Sequence, residues 1–294
     1  MIKIKFLCNW CSSETLLKDI CLFFDWEEDN MYLKKYSFTS QNDFTHIIFI
    51  NWCNFRNKIK KDNIIGLAWE PYQLLNFKNI DRFSNLIKKY YIGNNKNLTS
   101  KNIVQNYSYM LPLIPYTDVN NFIKKYPEKN KLINYVYSDK NLNPNMLYSY
   151  RKILGESIIK NNLNVNIYGG ITDTLRKKYP SNENIKTKFD WNKVSDVYKD
   201  YKFSIVLENS IHPSYFSEKI IIPLLCGCVP IYLGCTEINK YFGDYVIHLT
   251  GNLEEDLKII EMIIKEPEKY YKRIDIKKIK EKIHMKNLIH EEFL

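Results

Sequence analysis

The sequence predicts an α/β protein with two Rossmann-like domains that face each other across a cleft. Short apolar runs, typical of buried parallel strands, alternate with segments of helical character along most of the chain. A polar stretch with three prolines at residues 111–130, a linker or crossover, interrupts this alternation, which then restarts. The 294 residues are enough for two separate cores. Ligands of such sheets bind outside the carboxyl ends of the strands.

The first half contains three predicted strands and a helix. Residues 2–7 alternate in polarity, whereas residues 46–52 and 63–71 are apolar runs of the kind found in buried parallel strands. Pro71 ends the third run, because proline cannot donate a hydrogen bond to a neighbouring strand. Residues 15–24 have helical character and give the first strand–helix alternation.

The second half repeats the alternation with longer elements and ends in a basic helical segment. The predicted strands cover residues 132–138, 164–170, 202–210, 229–234 and 245–250. The predicted helices cover residues 145–162 and 253–265, and a further helix begins near Ser217. We therefore expect an N-terminal α/β domain at 1–125, a C-terminal ligand-binding α/β domain at 126–270 and a basic helical tail at 271–294.

The net charge of +10 suits an anionic partner, such as a phosphorylated small molecule, a membrane surface or a nucleic acid. The excess lysines are scattered, and no dense block of basic residues interleaved with aromatic ones marks a nucleic-acid groove. We therefore expect no nucleic-acid partner. The basic tail leaves open a peripheral contact with a membrane.

The seven cysteines are odd in number, which argues against a disulfide scaffold and fits a reducing compartment. Cys8 and Cys11 have the spacing of half a zinc site, but no second pair of this kind follows, so no zinc is expected. The first residues are too polar for a secretory signal, and no apolar run approaches the length that spans a bilayer. These features predict a soluble, cytoplasmic protein without a transmembrane segment.

The stretch at 201–235 carries polar residues where a buried strand would not need them. Glu208 and Asn209 fall at the predicted carboxyl end of a strand, and Lys219 falls in the first turn of the next helix, with Ser217 as its predicted N-cap. Free N–H groups, the helix dipole and the lysine together suit an anion such as a diphosphate. The alternative is a capped helix with a solvated lysine. The chain has neither a G-x-G-x-x-G nor a P-loop motif, so a dinucleotide-dependent dehydrogenase or a P-loop enzyme is not expected.

This stretch resembles the signature of the α-1,3/4-fucosyltransferases, glycosyltransferase family ten. The shared residues are Tyr201-Lys202-Phe203, Glu208-Asn209-Ser210, Tyr215, Glu218-Lys219 and the run from Gly227 through Val229-Pro230-Ile231 to Gly234. Leu207 replaces a phenylalanine of the family and Ser217 replaces a threonine, and Pro223 falls inside the helix, where it should bend it or remove a hydrogen bond. None of these departures removes a group with chemistry.

The resemblance implies a GT-B fold and GDP-fucose as the donor substrate. It assigns Asn209 and Lys219 to the diphosphate, Glu218 to the ribose hydroxyls and Tyr215 to the nucleotide pocket. Arg151, on the helix before the strand that ends in Tyr168-Gly169, is a further candidate for the diphosphate, with an ordinary surface arginine as the alternative. Ser138, at the preceding strand end, is the last donor-site candidate.

The resemblance also implies a catalytic glutamate after a strand of the N-terminal half, and Glu70 matches this position. Trp69 and Pro71 give Glu70 apolar neighbours, and desolvation suits a carboxylate that acts as a general base. The alternative is an ordinary glutamate at a strand end. We therefore expect an inverting transfer of fucose from GDP-fucose to a hydroxyl of a glycan or glycoconjugate acceptor.

Neither a cofactor nor a metal is expected, because the chain lacks a convincing D-x-D loop. Two other functions stay open. The first is a GT-B transferase that uses another GDP-sugar or a UDP-sugar, and the second is an inactive relative that only binds a nucleotide sugar.

Overall fold

The computed structural model describes residues 1–26, 35–52, 59–75, 80, 84–96, 98–139, 146–187 and 189–294. They form two compact units. The N-terminal unit contains residues 1–117, 212–217 and 281–294, and the C-terminal unit contains residues 118–211 and 218–280. The domain boundaries at 125 and 270 stay predictions, since compact packing does not test independent folding.

A six-stranded parallel sheet lies at the centre of the N-terminal unit, in the order β2-β1-β3-β4-β5-β6. Its strands are β1 (Ile2–Leu7), β2 (Tyr36–Phe38), β3 (His46–Ile50), β4 (Ile64–Leu67), β5 (Lys89–Ile92) and β6 (Ile103–Gln105). Helix α1 (Ser13–Phe24) follows β1. The side chain of Ser12 caps this helix by accepting a hydrogen bond from the Thr15 N–H, at 3.1 Å.

The three strands and the helix predicted for this half are confirmed, with some changes in length. The strand predicted at 63–71 ends at Leu67, and two short 3₁₀ turns, Lys61–Asn63 and Tyr72–Leu74, flank the segment. Strands β2, β5 and β6 were not predicted, because three or four residues are too few to show an apolar pattern. The stretch predicted as a linker contains helix α2 (Tyr116–Lys124).

The C-terminal unit is built on a five-stranded parallel sheet in the order β11-β10-β9-β7-β8. Its strands are β7 (Lys131–Val136), β8 (Val165–Tyr168), β9 (Tyr201–Leu207), β10 (Val229–Leu233) and β11 (Ile247–His248). The helices that follow α2 are α3 (Tyr148–Lys160), α4 (Thr172–Lys178), α5 (Glu218–Leu225), α6 (Ile238–Phe242), α7 (Leu253–Lys265) and α8 (Pro267–Tyr270). Two 3₁₀ segments, Trp191–Val197 and Gly243–Tyr245, complete this unit.

All five strands predicted in this half are present, as are the three predicted helices. Residue 145, where one helix was predicted to start, lies outside the described residues. The strand predicted at 245–250 is reduced to Ile247–His248. Helix α5 contains Pro223, which has no N–H to donate back to Lys219 O, and the helix ends two residues later at Leu225.

The basic tail forms two helices, α9 (Ile276–Ile283) and α10 (Lys286–Phe293). The isoleucines of α9 are buried, so its lysines form the exposed face. The buried carboxylate of Glu292 links α10 to β5 of the N-terminal unit through hydrogen bonds and an ion pair. It accepts hydrogen bonds from Lys89 Nζ at 2.6 Å and from the Tyr91 hydroxyl at 2.5 Å, and it forms an ion pair with Lys88 at 3.2 Å.

Over the described part of the chain, no helix combines the length and the apolar character needed to cross a bilayer. The expected cytoplasmic location and the membrane contact of the tail stay predictions.

Candidate functional site

The carboxyl end of β9 is joined to helix α3 by a network of hydrogen bonds. Arg151 Nη2 donates to Leu207 O at 2.7 Å and to Asn209 Oδ1 at 3.0 Å. The Leu147 N–H donates to Asn209 O at 2.9 Å. These bonds hold the backbone and the side chain of Asn209 at the point where a parallel sheet binds its ligands.

Arg151 is a buried cation and not the surface arginine considered as its alternative. It is 3% exposed, and its guanidinium lies 5.1 Å from the centre of the Tyr148 ring. Among the described residues, no partner reaches Arg151 Nε or the buried Ser210 Oγ. A buried polar group without a partner is unfavourable, so a polar ligand atom that reached either group would offset this cost. Ser210 was part of the recognised run but was not assigned a role.

Glu218 and Lys219 form the first turn of α5, and Lys219 Nζ donates to Glu218 Oε1 at 2.9 Å. Burial opposes protonation of Lys219, but the carboxylates of Glu218 and Glu208 outweigh it, and the pKa of Lys219 is raised despite the Arg151 charge. Lys219 is therefore a stable cation. Its ammonium has three N–H donors, so a phosphate can be bound while the contact with Glu218 is kept.

Glu208 is fully buried at the end of β9, where its N–H donates to Leu233 O at 2.9 Å. Gly234 leaves the space that this side chain needs. A Cβ built on Gly234 would lie 2.5 Å from Glu208 Cγ and 2.5 Å from the Tyr232 hydroxyl. The glycine that ends the recognised run is therefore explained by the close approach of the carboxylate side chain.

Ser138 lies two residues beyond the end of β7 and is half-buried. Its neighbour Asp139 is held by Lys152, at 2.5 Å, and by the Thr174 hydroxyl, at 2.8 Å. The role of Ser138 in donor binding stays a prediction.

Glu70, in the N-terminal unit, follows β4 in a backbone segment fixed by Asn51. Asn51 Oδ1 accepts hydrogen bonds from the N–H groups of Trp69, at 2.9 Å, and Glu70, at 3.2 Å. The Asn51 N–H donates to Leu67 O at 2.7 Å, and Asn51 O accepts from the Tyr90 hydroxyl at 2.6 Å. Asn51 has a φ of 58°, a left-handed conformation that asparagine tolerates better than most residues. Sequence reasoning missed Asn51, and its only signal was a polar residue near the end of the strand predicted at 46–52, which in the structure ends at Ile50.

Trp69, the residue before Glu70, contacts a second tryptophan, Trp10. Trp69 is buried, and its indole N–H donates to Ser108 O at 3.1 Å. The Trp10 ring lies 6.0 Å from the Trp69 ring and is 51% exposed. The residue before Glu70 therefore belongs to an aromatic pair that is open to solvent at Trp10.

Tyr215 belongs to a six-residue segment, 212–217, that is part of the N-terminal unit although the chain on both sides belongs to the C-terminal unit. His212 binds Asn94 at 3.0 Å and Gln73 at 2.9 Å, and burial lowers the pKa of this histidine to about 4. Phe216 stacks on Tyr107 with ring centres 4.2 Å apart.

Tyr215 itself is buried, and it packs so closely on Gly93 that a Cβ there would lie 2.5 Å from Tyr215 Cβ. The C-terminal unit thus contains five predicted donor-site residues: Ser138, Arg151, Asn209, Glu218 and Lys219. Tyr215 and Glu70 lie in the N-terminal unit. The predicted contact of Tyr215 with the nucleotide stays a prediction.

A metal site of three or more histidine, cysteine, aspartate or glutamate side chains is not found among the described residues.

The fold is that of the GT-B glycosyltransferases. A solved structure of an α1,3-fucosyltransferase matches 97% of this chain and 89% of its own, with a TM-score of 0.58 at 15% identity. A structure of α1,3-fucosyltransferase with GDP-fucose matches 100% of this chain and 91% of its own, with a TM-score of 0.57 at 14% identity. At this level of identity the likeness shows the fold.

The family model described as glycosyltransferase family 10 (fucosyltransferase), C-terminal part, matches residues 126–282, and the chain belongs to this family. The match covers more than half of the chain and includes Arg151, Asn209, Glu218 and Lys219. A protein of Acanthamoeba polyphaga mimivirus that is named as a fucosyltransferase is 30% identical over 86 residues, which are 24% of this chain and 14% of that relative. The family and the GT-B fold inferred from the recognised run are thereby confirmed.

Proposed function

We propose that the protein transfers fucose from GDP-fucose to a hydroxyl group of a glycan or glycoconjugate, with inversion at the anomeric carbon. The observation that carries this proposal is the group at the end of β9, where a buried arginine fixes Asn209 and a lysine of raised pKa opens the next helix. Two cations, an amide and a helix N-terminus are suited to a diphosphate. Family membership and the GDP-fucose complex of the structural relative favour GDP-fucose as the donor.

The proposed reaction is a single displacement. Glu70 takes the proton of the acceptor hydroxyl, and that oxygen forms a bond to the anomeric carbon of fucose. The bond between this carbon and the diphosphate oxygen breaks, and its electron pair leaves with GDP. Arg151, Lys219 and Asn209 stabilise the charge that develops on the diphosphate, while Glu218 holds the ribose hydroxyls.

We further propose that the acceptor sugar contacts the aromatic surface of Trp10 and Trp69 beside Glu70. Ligand sites commonly combine aromatic side chains with a few polar groups that fix orientation. The identity of the glycan and the linkage formed are left to an acceptor screen.

The donor is tested by thermal unfolding with GDP, UDP, GDP-fucose or GDP-mannose, each with EDTA. A ligand at a hundred times its dissociation constant should stabilise the protein by about 2.7 kcal/mol. Stabilisation by GDP and GDP-fucose that survives EDTA supports this donor and its binding without a metal. Stabilisation by UDP compounds alone favours a transferase with another donor, and no stabilisation by any nucleotide contradicts the donor site.

The role of Glu70 is tested by Glu70→Gln, which keeps the size of the side chain and removes the base. We expect loss of fucose transfer with nearly unchanged GDP affinity. Transfer at the wild-type rate would exclude Glu70 as the base. A wild-type protein that binds GDP-fucose but transfers to no acceptor would favour the inactive relative.

A further inference from the structure

The thiols of Cys8 and Cys11 are in contact at the end of β1. Their sulfur atoms are 3.3 Å apart, and Cys8 Sγ also lies 3.5 Å from Cys11 O. Strand β1 ends at Leu7, and α1 begins at Ser13. Regular secondary structure therefore fixes both ends of the short loop that carries the pair. The sulfurs need to approach by only about 1.3 Å to reach the length of a disulfide bond, which is about 2.0 Å.

The pair also differs in accessibility from the cysteines of the C-terminal unit. Cys8 and Cys11 are half-buried, whereas Cys226, Cys228 and Cys235 are buried. A dissolved reagent can thus reach the first pair far more readily.

We propose that Cys8 and Cys11 form a thiol–disulfide exchange site, which a low-molecular-weight disulfide oxidises to an intramolecular bond that closes the loop at residues 8–11. This proposal does not depend on the transferase function. It gives a role to the pair Cys8 and Cys11, which takes no part in the proposed donor binding or proton transfer.

The exchange has two steps. The Cys8 thiolate attacks one sulfur of the small disulfide, its S–S bond breaks, and one small thiolate leaves. The Cys11 thiolate then attacks the Cys8 sulfur of this mixed disulfide and releases the second small thiolate. Two protein thiols are oxidised and one small disulfide is reduced to two thiols.

Formation of the disulfide should move Trp10, which lies between the two cysteines in the sequence. Its ring is 51% exposed and lies 6.0 Å from that of Trp69, the residue before Glu70. Drawing the sulfurs together changes the backbone of the four-residue loop, so we expect the Trp10 ring to shift against Trp69. The exchange would then act on the aromatic surface next to Glu70.

The test treats the reduced full-length protein with oxidised glutathione, blocks free thiols and digests with trypsin. Cleavage after Lys5 and Lys18 gives a peptide, 6–18, that contains Cys8 and Cys11 and no other cysteine. We expect this peptide to lose two hydrogens and to carry neither glutathione nor the blocking group. A peptide that is blocked at both positions, or that stops at the mixed disulfide, would overturn the proposal.

Two variants sharpen the result. Cys11→Ser should stop at a glutathione adduct on Cys8, and a variant that stays unmodified would overturn the order of attack. Trp10→Phe should abolish the change in tryptophan fluorescence that accompanies closure. If the disulfide forms without any fluorescence change in the wild-type protein, the proposed shift of Trp10 is wrong.

Discussion

Arg151 and Asn209 are 58 positions apart in the sequence, yet Arg151 Nη2 donates a 3.0 Å hydrogen bond to Asn209 Oδ1. The bond holds Asn209 Oδ1 toward the guanidinium of Arg151. The NH₂ group of the amide must then point in the other direction. A donor and a cation are thereby prepared before any ligand arrives, and binding does not have to order them.

Replacement of Arg151 by lysine should weaken GDP binding by about 10- to 100-fold, because a hydrogen bond to a charged group contributes roughly 1.5–3 kcal/mol. Lysine keeps the positive charge but lacks the planar guanidinium, whose several N–H groups can donate to Leu207 O, to Asn209 Oδ1 and to a ligand at the same time. Calorimetric titration with GDP gives the affinity. Arg176→Lys, at an exposed arginine of the same unit, is the matched control and should bind like the wild type. Equal affinities of the two variants would remove Arg151 from the site.

Gly234→Ala should lower stability and GDP affinity together. The added Cβ would meet Glu208 Cγ at 2.5 Å, and overpacking of this kind commonly costs about 1–3 kcal/mol. Urea unfolding measures the first effect and GDP titration the second. Gly170→Ala is the control, since its Cβ would make only ordinary contacts at 3.7 Å or more. If Gly234→Ala has the stability and the GDP affinity of the wild type, Glu208 can move aside without loss of either.

Asn51→Ala should reduce the turnover number of transfer by about 100-fold, because small displacements of catalytic groups have effects of this size. The substitution removes the acceptor for the N–H groups of Trp69 and Glu70. Asn51→Asp keeps an oxygen in place and tolerates the same φ, so it should retain most of the activity. GDP affinity should be unchanged in both variants. A parallel loss of activity and stability in both would indicate a structural role alone.

Glu292→Gln should destabilise the protein near neutral pH by about 1–3 kcal/mol, the usual cost of weakening a buried polar contact. Burial opposes ionisation of Glu292, but hydrogen bonds from Lys89, Tyr91 and Lys88 outweigh it and lower the pKa of the carboxyl group. A lowered pKa in the folded state gives stability that is fully present above the ordinary glutamate pKa, about 4.5. This contribution is lost as the pH falls through the lower, folded-state value.

Urea unfolding of wild type and Glu292→Gln over this range of pH measures the effect. The difference between them should be constant near neutrality and shrink in acid. The neighbouring Glu291 is exposed, so Glu291→Gln supplies a control with the same change of charge. An equal, pH-independent loss in both variants would contradict the prediction.

Sequence reasoning could propose Asn209, Glu218 and Lys219 as one donor site because they lie in one short run, where strand end and helix start are adjacent. It proposed Glu70 from the family resemblance but missed Asn51, whose hydrogen bonds depend on the pairing of β3 with β4. It predicted a helical tail but not its attachment, because Tyr91 and Glu292 meet across 201 positions. The reason for a glycine at 234 also appears only in three dimensions, from the approach of Glu208.

The segment at 212–217 has a consequence for how such a protein can evolve. It is encoded between two stretches of the C-terminal unit but packs with Gly93, Asn94 and Tyr107 of the N-terminal unit. A recombination that exchanged one half of the gene would deliver Tyr215 and Phe216 without the residues on which they pack. The sequences of the two units are therefore expected to be inherited together, and the N-terminal unit to diverge by substitution rather than by replacement.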